Sequence, residues 1–303
     1  MTTATGLRYA WWTGCVSKGA CPELYVSMKK VAERLGIELI ELEDGNCTGA
    51  GVIGERDEFL QDVINSRNFA LAEQLGAPMM NVCSTCQGVQ SGVMYRIQTF
   101  EGYLEKINEQ LEPEGLTFSG DLTVKNFMWV LVEDLGLDKL KAAVTKPLSG
   151  LRFGPFYGCY IIRPSKIVFE NGEHAGRGQY LEQIIEAVGA EPVDYTGKTK
   201  CCGFPIVTMN KKNSLNMAGT HILEAKELGA DALVTPCPLC HLNLDAQQPA
   251  AAAQKGVKLD FPILHLPQMV GLALGLSPDE LRLDRHVVST KPVQRLLKEA
   301  VPA

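Results

Sequence analysis

The sequence predicts an α/β fold made of two copies of one unit, and three observations carry that prediction. Stretches with strand character are each followed by an amphipathic stretch ending in glycine, which is the strand-then-helix signature of an α/β protein. The same order of strands, helices and cysteines occurs twice along 303 residues. The cysteines fall just after strands, where the loops of an α/β sheet converge on a ligand. The expected organisation is a first unit over 1–98, a helical connector over 99–150, and a second unit over 151–303 that ends in an apolar helix.

The first copy opens with Tyr9-Ala-Trp-Trp-Thr-Gly-Cys15 and an amphipathic helix ending Arg34-Leu35-Gly36. A strand, Ile37-Glu-Leu-Ile-Glu-Leu42, leads to Cys47-Thr48-Gly49, then a helix ends at Leu75-Gly76 before Cys83-Ser-Thr-Cys86. The second copy repeats this as Phe153-Gly-Pro-Phe-Tyr-Gly-Cys159, a helix ending Val188-Gly189, a short strand Glu191-Pro-Val-Asp-Tyr195, Cys201-Cys202-Gly203, a helix ending Leu228-Gly229, and Cys237-Pro-Leu-Cys240. In both copies 36 positions separate the middle cysteine from the Cys-x-x-Cys, so the spacing reflects a structural repeat. The joining segment reads helical at Tyr103–Leu111 and again at Phe127–Leu135. Near the C-terminus, Phe261 to Leu276 carries no acid, lysine or arginine, yet is shorter than the ~18 residues a spanning helix needs. It reads as a buried helix, or as one lying against a quinone pocket or lipid headgroups.

Composition narrows the function. A hydrophobic content of 46% is ample for a core, and a net charge of −6 without any basic run argues against nucleic-acid binding. The N-terminal residues show no secretory pattern, so a cytoplasmic location is expected, where ten cysteines are ligands sooner than disulfides. Cys159, Cys201, Cys202, Cys237 and Cys240 supply five thiols, one more than tetrahedral zinc or an ordinary cubane uses, which favours an iron–sulfur cluster. Cys15, Cys47, Cys83 and Cys86 form the matching set, but Thr48 stands where Cys202 does. Four thiols suit a 4Fe–4S cluster or zinc equally. Cys21 falls at a helix start before Pro22 and is either a free thiol or a fifth ligand for this first set.

His241, directly after the second Cys-x-x-Cys, is placed to tune a cluster by hydrogen bonding or to give up a proton. His265, Tyr160 and Arg163 are further candidates for a substrate pocket, each also explicable by packing or ion pairing. Gly49-Ala-Gly51-Val-Ile-Gly54 matches a dinucleotide-binding pattern in letters only, since it overlaps the Cys47 loop and lacks the first strand of such a unit.

These motifs carry a resemblance. Tyr157-Gly158-Cys159, Cys201-Cys202-Gly203-Phe204-Pro205, Cys237-Pro-Leu-Cys-His-Leu-Asn-Leu-Asp245, His265-Leu-Pro-Gln268 and His286-Val-Val-Ser289 together resemble the CCG-domain proteins, specifically the B-subunit family of heterodisulfide reductase. The resemblance covers nearly the whole chain. It implies an electron-transfer subunit with a non-cubane 4Fe–4S cluster on Cys159, Cys201, Cys202, Cys237 and Cys240. Family members include disulfide-reducing subunits, lactate and glycolate oxidation proteins, and the anchor subunit of a class of succinate dehydrogenases without transmembrane helices. Disulfide cleavage in the family is thought to use two complete clusters, so Thr48 points instead to the anchor branch, in which one complete cluster suffices to pass electrons singly to a quinone. The role this implies is that of one component of a succinate:quinone oxidoreductase, inactive alone, fed by an iron–sulfur subunit and a flavoprotein. It is expected to attach peripherally to the membrane through the surface near 261–276.

Overall fold

The computed structural model describes residues 5–299. The first half runs β1 (Arg8–Trp11), α1 (Gly14–Gly19), α2 (Pro22–Leu35), β2 (Glu38–Glu41), α3 (Glu58–Gln74), β3 (Met79–Asn81), α4 (Ser84–Thr99), α5 (Tyr103–Leu111), β4 (Val124–Asn126), α6 (Phe127–Trp129), which continues as a π-helical stretch Val130–Leu135, and α7 (Leu137–Ala143). The second half runs β5 (Arg152–Pro155), α8 (Ser165–Val168), α9 (Tyr180–Ala187), β6 (Glu191–Pro192), α10 (Lys211–Glu227), β7 (Ala232–Thr235), α11 (Pro238–Leu244), α12 (Gln248–Lys255), β8 (Ile263–His265), α13 (Leu266–Ala273) and α14 (Lys291–Glu299).

Each half forms one parallel four-stranded sheet, in the order β2-β1-β3-β4 and β6-β5-β7-β8. The central strands β3 and β7 are buried at every position, as parallel strands covered on both faces must be. The α/β repeat read from the sequence is therefore the repeat in the structure. The segment expected as a purely helical connector differs in one respect: it holds β4, which pairs with β3 and closes the first sheet. Strand β8 occupies the same place in the second sheet.

Local sequence explains the helices that position the sites. Helix α2 has Pro22 in its first turn and ends at Gly36, whose left-handed conformation closes the last turn. Its buried Leu24, Met28, Val31, Ala32 and Leu35 form one apolar face. That face packs on α13 of the other half, while α9 packs on α6, its π-helical extension and α7 of the first half. Each half thus covers the helix that follows the other's last strand. Within this interface Arg177 is 2% exposed and lies 3.7 Å above the Trp129 ring; it bonds Glu133 at 2.8 Å and Glu170 at 2.7 Å.

Helix α13 overturns one expectation. All eight of its residues are buried, because it is sandwiched between the second sheet and α2, so the 261–276 stretch cannot be the membrane surface. Its run of uncharged side chains serves a core contact instead. Among the described residues no helix is long and apolar enough to cross a membrane.

Candidate metal centres at the strand ends

In both halves the cysteines sit beyond the C-terminal ends of the strands, on the connecting segments or in the first turn of the helix that follows. Cys15 follows β1, Cys47 follows β2 and Cys83 follows β3; Cys159, the Cys201–Cys202 pair and Cys237 follow β5, β6 and β7 in the same order. Each Cys-x-x-Cys straddles a helix start: Cys83 caps α4 and Cys237 caps α11. The positive end of the helix dipole and the first free N–H groups favour the thiolate there. The Cys86 N–H accordingly donates to the Cys83 sulfur at 3.4 Å.

The five thiols of the second half form a continuous chain of contacts: Cys159 with Cys201, Cys201 with Cys202, Cys202 with Cys240, and Cys240 with Cys237. Cys201 is held far toward its thiolate form by the S–H of Cys159 and then that of Cys202, whereas Cys159 and Cys202 are pushed up, both chiefly by contact with Cys201. Backbone N–H groups of Gly203 and Phe204 each donate to a sulfur at 3.4 Å, on Cys201 and Cys202 respectively. Gly203 is required, since its φ is +92° and a Cβ would stand 2.9 Å from the Ser214 backbone. Gly158 likewise leaves room for sulfur, because a Cβ there would lie 2.8 Å from the Cys240 Sγ. Asn243 explains the Leu-Asn-Leu part of the motif: its side chain donates to the Cys202 carbonyl at 2.6 Å and ties α11 to the Cys-Cys-Gly loop. His221 holds the same loop through the Cys201 carbonyl at 3.1 Å.

The first half assembles four thiols and one hydroxyl. Cys15 and Cys47 lie 3.6 Å apart, and the S–H of Cys15 lowers Cys47 to about 6. The buried Thr48 donates to the Cys86 sulfur at 3.4 Å, occupying the place that Cys202 takes beside Cys240. The glycine after it donates to Cys47 at 3.5 Å, repeating Gly203. That contact places the Gly49–Gly54 pattern in a thiol loop. Cys15 and Cys47 are exposed, whereas Cys202, Cys237 and Cys240 are buried, so the first set is the more open of the two.

The two sets adjoin. Ser84 donates to the Pro236 carbonyl from both its N–H and its hydroxyl at 3.1 Å, Thr85 contacts the Cys237 sulfur at 3.4 Å, and the Cys83 and Cys237 thiols touch. Thiol donors from three loops, with backbone N–H groups aimed at the sulfurs and glycines where a side chain would fill the space, fit iron–sulfur clusters.

A family model described as a cysteine-rich domain, CCG, matches residues 9–89 and 154–245, the stretches that carry both thiol sets. The chain belongs to the CCG cysteine-rich domain family. This CCG protein is 36% identical over 282 residues, 93% of its own length and 97% of the relative's, to the 8-methylmenaquinol:fumarate reductase membrane anchor subunit of Wolinella succinogenes. It is 31% identical over 278 residues, 91% of its length and 92% of the relative's, to the B component of the ferredoxin:CoB-CoM heterodisulfide reductase of Methanosarcina mazei. Its fold resembles the crystal structure of a hypothetical protein from Helicobacter pylori, with a TM-score of 0.75 and 17% identity. That alignment covers 93% of this chain and 52% of the other, so this chain spans about half the length of that structure.

The remaining candidates fall in two places. Tyr160 is half-buried next to Cys159, with burial raising its pKa, and Arg163 is exposed three positions further on. His241 and His265 are 3% and 1% exposed and stack on one another with ring centroids 3.8 Å apart. Their burial sets them behind the second thiol set, away from solvent. The Cys21 thiol faces Glu23, with Cys237 and Asp245 nearby. Sequence reasoning passes over Glu23, Asp245 and Gln268 as site residues. The only signal for the last two is their place in the Leu-Asn-Leu-Asp and His-Leu-Pro-Gln motifs.

Proposed function

We propose that this chain is the quinone-reactive anchor subunit of a succinate:quinone or quinol:fumarate oxidoreductase. It exchanges electrons with an iron–sulfur subunit, itself served by a flavoprotein, and sits peripherally on the cytoplasmic membrane face. The observation that carries this reading is the asymmetry of two adjoining thiol sets, one with five thiols and one with Thr48 in the fifth place. Clusters bound at these sets would supply one-electron uptake and release.

This chain's own residues do the rest. The N–H groups of Gly203 and Phe204 stabilise negative charge on the Cys201 and Cys202 sulfurs, which lowers the cost of the thiolate forms that ligation requires. Contact between Cys83 and Cys237 keeps the two sets within short electron-transfer reach. Tyr160, half-buried beside Cys159, and the exposed Arg163 are the residues against which a quinone head group would rest. Val52 and Met209, 66% and 79% exposed, sit on the segments that follow Cys47 and Cys202 and are apolar side chains that this reading would set against lipid.

Cys202→Ser tests the reading in the purified complex. Quinone turnover should be abolished and the spectroscopic signal of the second cluster altered, while succinate oxidation with an artificial dye survives. Unchanged quinone turnover removes the proposal. Reduction of a heterodisulfide without reduction of a quinone analogue transfers the chain to the branch of its Methanosarcina mazei relative.

A further inference from the structure

Behind the second thiol set lies a buried cluster that electron transfer does not use. Cys21 and Glu23 enter it from the first half, at the start of α2; His241 comes from α11 and His265 from the end of β8. All four residues are buried, at 0%, 5%, 3% and 1% exposure, and one donor atom from each lies within 4.8 Å of the others. The His265 Nε2 is 3.3 Å from the Glu23 carboxylate, close to the spacing of neighbouring ligand atoms around a tetrahedral cation with bonds of about 2.0–2.3 Å.

The hydrogen bonds around the cluster leave donor atoms without partners. The Gln268 Oε1 accepts the His265 backbone N–H at 3.0 Å, which fixes it as an acceptor for the His286 Nε2, also at 3.0 Å. A neutral His286 then accepts at Nδ1 from the His241 Nε2, 3.1 Å away. The His241 Nδ1 is thereby left with a free lone pair, and it has no hydrogen-bond partner; neither has the Nδ1 of His265. Buried ring nitrogens without partners are costly, and an outer chain of hydrogen bonds that orients a histidine is the usual companion of a metal ligand.

The first half closes the same place differently. Gln87 follows Cys86 as His241 follows Cys240, and Asn126 ends β4 and caps α6 as His265 ends β8 and caps α13. There the amides hydrogen-bond one another: Asn81 donates to Gln87 and Gln90 at 2.7 and 2.8 Å and accepts from Asn126 at 2.9 Å, with the Gln90 Nε2 left unpartnered. Only the second half replaces these amides with imidazoles, and only there do a thiol and a carboxylate arrive from across the interface.

We propose that Cys21, Glu23, His241 and His265 form a further metal site that binds a divalent cation of the zinc class and clips the two halves together. One thiolate and one carboxylate neutralise the dication, so the buried site carries no net charge. Sulfur, nitrogen and oxygen donors in a tetrahedral set with all four positions filled by protein suit structural zinc.

The test uses the full chain, purified anaerobically, with zinc and iron content and the zinc X-ray absorption edge as readouts. Zinc is expected with a shell of sulfur plus lighter nitrogen and oxygen ligands, which neither thiol set can provide alone. In Cys21→Ser and Glu23→Gln zinc should fall at least tenfold while iron is retained. Glu23→Gln keeps the side chain's shape and its acceptor for His265, so the fold survives if hydrogen bonding is all that matters there. Zinc retained in both variants, a shell of four sulfurs, or a chain that neither contains zinc nor takes up cobalt(II) overturns the proposal. None of these readouts depends on quinone activity.

Discussion

The two halves share strand order, register and the 36-position interval from the middle cysteine to the Cys-x-x-Cys, yet differ at three equivalent places: Thr48 against Cys202, Gln87 against His241, and Asn126 against His265. In the first half those side chains are neutral hydrogen-bonding groups that satisfy each other or a sulfur. In the second they are a thiol and two imidazoles. The difference shows that the scaffold fixes where ligands go, while a few side chains at the strand ends and first helical turns decide what chemistry is done there.

The strongest way to break the contrast is to exchange the fifth position. Cys202→Thr should give the second half the ligand set of the first and abolish both its five-thiolate signal and quinone turnover. Thr48→Cys should create a second such signal, read by electron paramagnetic resonance. If either exchange leaves the spectrum as it was, the fifth position does not distinguish the halves.

The next largest effect is expected at the interface patch that faces the first half. Arg177→Met removes the guanidinium from Glu133, which keeps Lys125 at 3.0 Å, and should cost about 1.5–3 kcal/mol in thermal or denaturant unfolding. A loss below about 1 kcal/mol, as for an exposed pair, would show that this patch does not hold the halves together.

The paired glycines sharpen the comparison further. Gly203→Ala puts a Cβ against the Ser214 backbone at a φ of +92°, and should destabilise by about 1–3 kcal/mol with loss of iron from the second set. Gly49→Ala meets only the Ile53 side chain, so its loss should be smaller. Equal losses would mean that the two loops are equally tight.

A smaller effect separates Asp245 from Ser91, which takes the equivalent place in the first half. Burial raises Asp245 from 3.8 to about 6, although the Val287 and Val288 N–H groups oppose this. A carboxyl raised in the folded state binds its proton more tightly there than in the unfolded chain. Its contribution is therefore full below about pH 4, falls as pH rises toward 6, and is flat above that. Asp245→Asn should remove this decline from melting temperatures measured between about pH 4 and 6. An unchanged slope would assign the decline to other groups.

Much of the molecule is legible in the sequence. The recurring 36-position interval and the Cys-x-x-Cys carry the repeat, because the helix between those two ligand positions has the same length in both halves, while the first interval, 32 positions from Cys15 to Cys47 against 42 from Cys159 to Cys201, varies with the loops. The strand β4 is hidden, since three residues of Val-Lys-Asn show no alternation and acquire strand geometry only by pairing with β3. The fate of 261–276 is hidden too: an apolar helix reads alike whether it faces lipid or another helix, and only packing on α2 decides. Cys21 can be read from the chain only beside its immediate neighbours, whereas its surroundings come from more than two hundred residues away.

Because α2 covers α13 and α9 covers α6 and α7, the 144–151 tether is not a boundary between independently stable bodies. Cleavage there would leave each fragment with a bare apolar stripe, and neither should stay in solution by itself. Mixed together, the two pieces have every reason to recombine, each serving as the other's missing wall.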